Sequence, residues 1–380
     1  MEEKGRIGIP RALMFYRYFP LWRTFFERLG WKVIVSDGVR RKEKIIYLED
    51  SCLPMKLLVT HAAQLKDKVD HLFIPRLVSI HRTYIMCPKF RGAPDIVRLA
   101  TEGNVSILDE TVDLRKGGIP LHRSFVKVGE KLGASKQESK RAFREAEESF
   151  SKFQKGWVDR INRLPTGQLF EMDVPTPPPS KISPPWVGGD KGKGEAVKGG
   201  REGIGVPLRI AFIGHPYNLF DIDINKDLLA LAKSLEMEIM TSDLLSEKEI
   251  DREVSGLSKE IYWSSGREIV GSLFHFLSGE VDGVVFLTSF KCGIDALLQE
   301  FIKRRLKVRG GSGIPLLILS FDEHTGREGL TTRLEAFRDV VEEQKRIREN
   351  EGLKGESGGF ALPVCLPSSA RPSPLWNGEV

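Results

Sequence analysis

Short apolar runs alternate with stretches of helical period along this chain, and the whole alternation occurs twice, on either side of a segment rich in proline and glycine. In the first series residues 7–10 read as a strand. Leu21, Trp22, Phe25, Phe26 and Leu29 then recur at the spacing of one helix face, and Gly30 stands where a C-terminal cap belongs. Residues 32–36 predict the next strand. Pro54 opens a helix that carries Leu57, Leu58, Ala62 and Leu65, and 71–75 has the unbroken apolar character of a strand buried on both faces. A helix over 95–100 and a strand over 105–108 follow. The stretch 137–164 places Phe143, Phe150, Phe153, Trp157 and Ile161 on one face, which predicts a long amphipathic scaffold helix.

The second series predicts strands at 209–213, 238–240, 283–287 and 315–321, with helices at 228–235, 269–277, 294–306 and 331–345 between and after them. Such alternation specifies the α/β class, here two Rossmann-like parallel-sheet domains facing across a cleft. An internal echo supports the pairing. Ser36-Asp37 and Ser242-Asp243 each close an early strand, Val69-Asp70 and Val281-Asp282 each open a later one, and Cys87 or Cys292 lies in the loop that follows. The expected partition is an N-terminal domain over 1–173, a flexible linker over 174–205, a C-terminal domain over 206–351 and a disordered tail over 352–380. The linker composition, Val-Pro-Thr-Pro-Pro-Pro-Ser followed by Pro184-Pro185 and Gly188-Gly189, holds too little apolar surface to offset the entropy of ordering it. A length of 380 residues agrees with two domains, because single cores stop growing at about 250–300 residues.

Composition removes several function classes. No stretch reaches the roughly 18 uncharged apolar residues of a membrane-spanning helix, so no membrane association is expected. The N-terminus carries charges of both signs and lacks the apolar core of a secretory signal. Four cysteines are too few for a disulfide scaffold, and together these features point to the cytoplasm. The net charge of +6 is scattered or concentrated in the linker, with no stripe beside stacking aromatics, so no nucleic-acid partner is expected. There is no Gly-x-x-x-x-Gly-Lys-[Ser/Thr] loop and Gly8-Ile9-Pro10-Arg11 is no dinucleotide fingerprint, which speaks against ATP hydrolysis by this chain.

A lone cysteine is ordinarily a small buried apolar residue. Three of the four here depart from that pattern together. Cys52 lies two residues before Pro54 at an expected helix start, where backbone N–H groups and the dipole favour a thiolate. Cys87 follows the strand 71–75 and precedes Pro88, and Cys292 follows the strand 283–287 and precedes Gly293. All three therefore fall at the edge where open α/β sheets build their sites; Cys365 falls in the tail and takes no part. Three thiolates do not complete a structural zinc site, whereas a 4Fe-4S cluster can use three and leave one iron to an outside ligand. A metal-free Rossmann-type binding module is the other reading that these residues allow. The loop 322–329 invites comparison as an anion or substrate loop, with Thr331 near the following helix N-terminus and Arg333 in its first turn. It reads equally as a polar turn capped by Thr. Among histidines, His61 lies on an apolar helix face, while His81, His215 and His324 lie in loops.

At Ile7-Gly8-Ile9-Pro10-Arg11-Ala12-Leu13, Ser51-Cys52-Leu53-Pro54-Met55-Lys56-Leu57, Cys87-Pro88-Lys89-Phe90 and Lys291-Cys292-Gly293-Ile294-Asp295 the sequence resembles the 2-hydroxyacyl-CoA dehydratase and benzoyl-CoA reductase-like superfamily, most of all its CoA-protein activase-related branch. Phe321-Asp322-Glu323-His324-Thr325-Gly326 and Thr332-Arg333-Leu334-Glu335-Ala336-Phe337 are similar to the same branch. The resemblance implies a 4Fe-4S cluster on Cys52, Cys87 and Cys292. It implies a low-potential electron received from a separate ATP-hydrolysing activase and passed to an acyl-CoA-type substrate, in a homo- or heterodimer with a related subunit. The alternative it leaves is a non-catalytic electron-transfer or accessory component of an activase system. Glu323 and His324 are then the candidate acid–base residues, and Arg11, Thr331 and Arg333 the candidate substrate or anion contacts.

Overall fold

The computed structural model describes residues 3–38, 46, 48, 50–115, 117–157, 160–161, 168–170, 207–257, 260–277, 281–308 and 314–350. The expected linker over 174–205 and the tail over 352–380, with Cys365, lie outside the described residues.

The first half is built on β1 (Arg6–Ile9), β2 (Lys32–Val35), β3 (His71–Phe73) and a fourth strand, β5 (Ser106–Leu108), paired in parallel in the order β2-β1-β3-β5. The expected strand over 71–75 is cut short. Pro75 offers no N–H to a ladder, and the chain starts again as β4 (Arg76–Ser79), which pairs with β6 (Thr111–Asp113) in a small second sheet. Helix α1 (Phe15–Arg28) buries Phe15, Tyr16, Phe19, Phe25 and Phe26 and ends before Gly30, whose φ of +85° needs a residue without a Cβ. Helix α2 (Leu53–Leu65) opens on Cys52 as N-cap with Pro54 in its first turn. Helix α3 (Pro88–Ala100) starts seven residues before the position that periodicity suggests, because Pro88 occupies the first helical position, where its missing N–H costs nothing. Helices α4 (Leu121–Lys131) and α5 (Lys136–Lys155) complete this half, α5 starting at a capping box between Ser135 and Glu138.

The second half repeats the plan with β7 (Leu208–Gly214), β8 (Met237–Thr241), β9 (Gly283–Ser289) and β10 (Leu316–Phe321), all parallel, in the order β10-β9-β7-β8. Counted within each half, both sheets run second-first-third-fourth. The sequence echo is thus an identity of topology. Its helices are α6 (Pro216–Phe220), α7 (Ile222–Asn225), α8 (Leu228–Ser234), α9 (Glu247–Val254), α10 (Ser264–Leu277), α11 (Gly293–Val308) and α12 (Arg327–Asn350). Every residue of β9 is buried, as its continuous apolar sequence requires of a central parallel strand. In this order the chain leaves the first strand on either side, and by the general right-handed rule such crossovers put successive helices on opposite faces and make the carboxyl ends of β1 and β3, and of β7 and β9, the expected place for a crevice.

One hydrophobic cluster runs through both halves, from Ile7 and Phe25 to Phe212, Leu287 and Phe321. Trp157 and Phe170 of the first half stack edge-on against Phe220 of the second, with ring centroids 5.4 and 6.0 Å apart. Ile85 forms a parallel bridge to Trp263, donating to the Tyr262 carbonyl and accepting from the Ser264 N–H at 2.9 Å each. The Arg17 guanidinium of α1 meets the Glu268 carboxylate of α10 at 2.5 Å. These contacts aim the carboxyl edges of the two sheets at each other. The join between β7 and β9 is itself tight: a methyl group on Gly214 would lie 2.8 Å from the Leu287 carbonyl oxygen. Gly214→Ala is expected to cost about 1–3 kcal/mol, seen as a lower Tm in thermal unfolding. Gly92→Ala, where an added methyl meets nothing within 4 Å, should be neutral or stabilise α3 by up to about 1 kcal/mol.

Candidate functional site

The three cysteines of the sequence reading line one cleft at the facing carboxyl edges, together with Leu13, Met55, Phe90, Tyr217 and Ile294. The cleft holds about 370 Å³ of space, part of it open to solvent. Cys52 caps α2, Cys87 caps α3, and Cys292 immediately precedes α11, so each sulfur stands at the start of a helix. Two come from the first half and one from the second. Cys52 is buried, and Cys87 and Cys292 are half-buried.

A helix start alone would favour thiolates, but the cleft wall overrides it. Burial pushes the Cys52 thiol up to about 11; Lys89 and the Met55 N–H pull against that rise, and the neighbouring sulfurs of Cys292 and Cys87 add to it. Cys87 is raised as well, again by burial first, with the Lys89 N–H and the His215 ring opposing. The Tyr217 hydroxyl is raised well above its ordinary range by burial and then by Cys292, Asp295, Cys52 and Cys87. Cys52 therefore feels both other sulfurs, and Cys87 feels that of Cys292. The cleft is a place where negative charge is costly unless a cation enters it.

One buried group answers that need. His215 follows the carboxyl end of β7, caps α6, and stacks on Tyr217 with ring centroids 4.8 Å apart and planes 13° apart. Its Nε2 lies 2.7 Å from Asp295 Oδ1, in the first turn of α11. Burial disfavours the imidazolium, but Asp295 and then Cys292 outweigh it and hold His215 protonated well above the ordinary histidine range. Asp295 is steadied by the Ser289 N–H at 3.2 Å, the Ser289 hydroxyl donates to Asn218 Oδ1 at 2.7 Å, and the Asn218 amide donates to the Leu287 carbonyl at 3.3 Å. One ligand atom from each of His215, Cys292 and Asp295 falls within 4.8 Å of the others.

The remaining sequence candidates lie around the cleft or away from it. Glu323 forms an ion pair with Lys56, a buried lysine one turn along α2 from Cys52; burial would raise this carboxyl, but the Lys56 hydrogen bond wins and lowers it. His324 is exposed and held through its backbone N–H by Asp322. Arg11 donates its backbone N–H to the Ser36 hydroxyl, and its guanidinium faces Tyr16, Asp221 and Asp223. Thr331 and Arg333 stand differently from expectation. Helix α12 starts at Arg327, four residues earlier than the apolar period suggests, so both residues sit in its second turn and Thr331 bonds back to the Arg327 carbonyl. His61 is a core histidine, its pKa lowered by burial. At the mouth of the cleft, Asp50 accepts from Lys291 at 3.1 Å and its carbonyl accepts from Lys89 at 3.3 Å. Sequence reasoning put His215 among the loop histidines that are better candidates for a ligand or acid than His61, and gave no role to Asp295, Tyr217 or Lys56. The available signal was Asp295 three residues after Cys292, one helical turn away, and His215-Pro216 closing a strand as Cys87-Pro88 does.

The raised Cys52 pKa has a sign that can be checked in the metal-free protein. The unfolded chain loses this proton near 9.0 and the folded chain near 11, so the stability present below pH 9 is lost as pH rises towards 11. The Tm of the metal-free protein should fall across that window, and Cys52→Ala should fall less steeply over the same range.

No curated protein matches the chain. Residues 6–245 match the family described as the CoA enzyme activase uncharacterised domain, a span that takes in the first sheet, Cys52, Cys87, His215 and the first two strands of the second sheet. The chain belongs to the CoA enzyme activase uncharacterised domain family.

Proposed function

We propose that this chain is an iron–sulfur component of a CoA enzyme activase system, holding a 4Fe-4S cluster on Cys52, Cys87 and Cys292 and receiving a low-potential electron from an ATP-hydrolysing partner. The observation that carries this reading is the convergence of three cysteines, distant in sequence, on one cleft. Their chemistry suits a soft metal centre. Three thiols are the softest donor set a protein offers. Burial in the cleft opposes thiolate charge on Cys52 and Cys87, and a cationic iron core would offset it.

A cluster held there supplies a one-electron acceptor with one iron free of protein thiolate. Everything else in the site belongs to the chain. Leu13, Met55, Phe90 and Ile294 shield the sulfurs from water, and the helix starts at Cys52, Cys87 and Cys292 direct backbone N–H groups towards them. Lys89 and Lys291 form a basic rim on the solvent side.

Within this frame the onward step, transfer to an acyl-CoA-type substrate as in the 2-hydroxyacyl-CoA dehydratase-like class, competes with an accessory role that ends at electron transfer. The second reading draws on a specific observation: Glu323 is engaged by Lys56 and His324 faces solvent, so neither candidate acid–base residue stands beside the sulfurs. Anaerobic reconstitution should give a brown protein with about four irons per chain. Cys52→Ala, Cys87→Ala and Cys292→Ala should each lose the colour while Cys365→Ala keeps it. A colourless wild type, or a Cys292→Ala protein with full iron, overturns the ligand set. Acyl-CoA-dependent change in the EPR signal of the reduced protein separates the two roles: a change supports a thioester site, and none across a panel of thioesters supports the accessory role.

A further inference from the structure

The cleft contains a buried histidine that the ligand set leaves unused. His215 is 2% exposed and Asp295 is 1% exposed. The contact between them is short but off-line, and neither ring nitrogen of His215 has a well-directed hydrogen-bond partner. Such groups are costly to bury in this state. Yet the surroundings fix the ring with care: the parallel stack on Tyr217 sets its plane, and the chain of Asp295, Ser289, Asn218 and the Leu287 carbonyl fixes the carboxylate beside it. The ring lines the same cleft as the three cysteines, and the donor atoms of His215 and Cys292 lie within 4.8 Å of each other.

Resting on the cluster reading above, we propose that His215, held by Asp295, is a positioning residue that donates a hydrogen bond to the sulfur of Cys292, and that this bond raises the reduction potential of the group on the three cysteines. The reason is electrostatic. Reduction adds one electron, delivered by the ATP-hydrolysing partner, to a site walled by apolar side chains, and an N–H donor aimed at a sulfur stabilises the more negative form. A donor fixed before the electron arrives needs no reorganisation when it comes. The separation also argues against ligation by His215. Donors on different irons of one cluster would stand farther apart than that, because each would point outward from its own corner of the core, so a ring this close to Cys292 would not be placed to ligate a second iron.

The test is redox titration of the anaerobically reconstituted protein beside His215→Phe, which keeps the stack on Tyr217 and removes the N–H, and His215→Gln, which restores a donor. His215→Phe should retain the iron content of the wild type and shift to a more negative potential, with His215→Gln returning part of the shift. Protein labelled with ¹⁵N-histidine supplies a readout that needs no variant: pulsed EPR of the reduced wild type should show a weak coupling to a non-ligating imidazole nitrogen and an exchangeable proton lost in D2O. Unchanged potential in His215→Phe, or no imidazole coupling in a coloured wild type, overturns the hydrogen bond alone. A strong nitrogen coupling, or iron lost from His215→Phe, makes His215 a ligand and overturns it too. A colourless wild type overturns the cluster reading itself and this inference with it.

Discussion

Desolvation at the meeting of two sheet edges governs this molecule. Parallel strands deliver their connecting loops to one edge, and here two such edges face each other across a crevice closed by apolar side chains. Any charge placed there loses water, which is why the Cys52 and Tyr217 protons are held so firmly and why His215 needs Asp295 to remain charged. The same cost confers selectivity. A largely apolar cleft wall beside three sulfurs and an ion-paired histidine makes uncompensated negative charge costly there.

Much of the fold could be read from the sequence because parallel sheets leave a strong trace. Strands such as β9, buried on both faces, appear as unbroken apolar runs, and nearly every strand of the two main sheets lies where such a run occurs. The deviations have local causes. Pro75 cuts one expected strand short, Pro88 starts a helix that periodicity placed later, and Arg327 to Leu330 extend α12 backwards without an apolar period to announce it. The helices α6 and α9 span too few turns for an apolar pattern to repeat.

The site was legible only in part, for a different reason. Cysteines are rare enough that their places after strands stand out. Asp295, Tyr217 and Lys56 belong to residue types that occur throughout the chain, and what marks them is proximity across the crevice, which no linear spacing records. The loop of Glu323 and His324 illustrates the converse. Its composition suggested chemistry, whereas its carboxylate serves to tie the second half to a buried lysine of the first.

The identical strand order of the two halves means that the crevice is a seam between structural equivalents whose contributions have diverged. The Ser-Asp pairs after β2 and β8 correspond, as do the segments that carry Cys87 and Cys292, but the first half alone adds a further cysteine, Cys52, at the start of α2. An occupant bound by all three sulfurs would therefore fasten positions 52 and 292 into one covalently continuous unit, coupling the stability of each half to the other. Binding of this kind stabilises only the arrangement in which both halves are docked, so a protein of two lobes would answer loading, or its loss, as a single cooperative body.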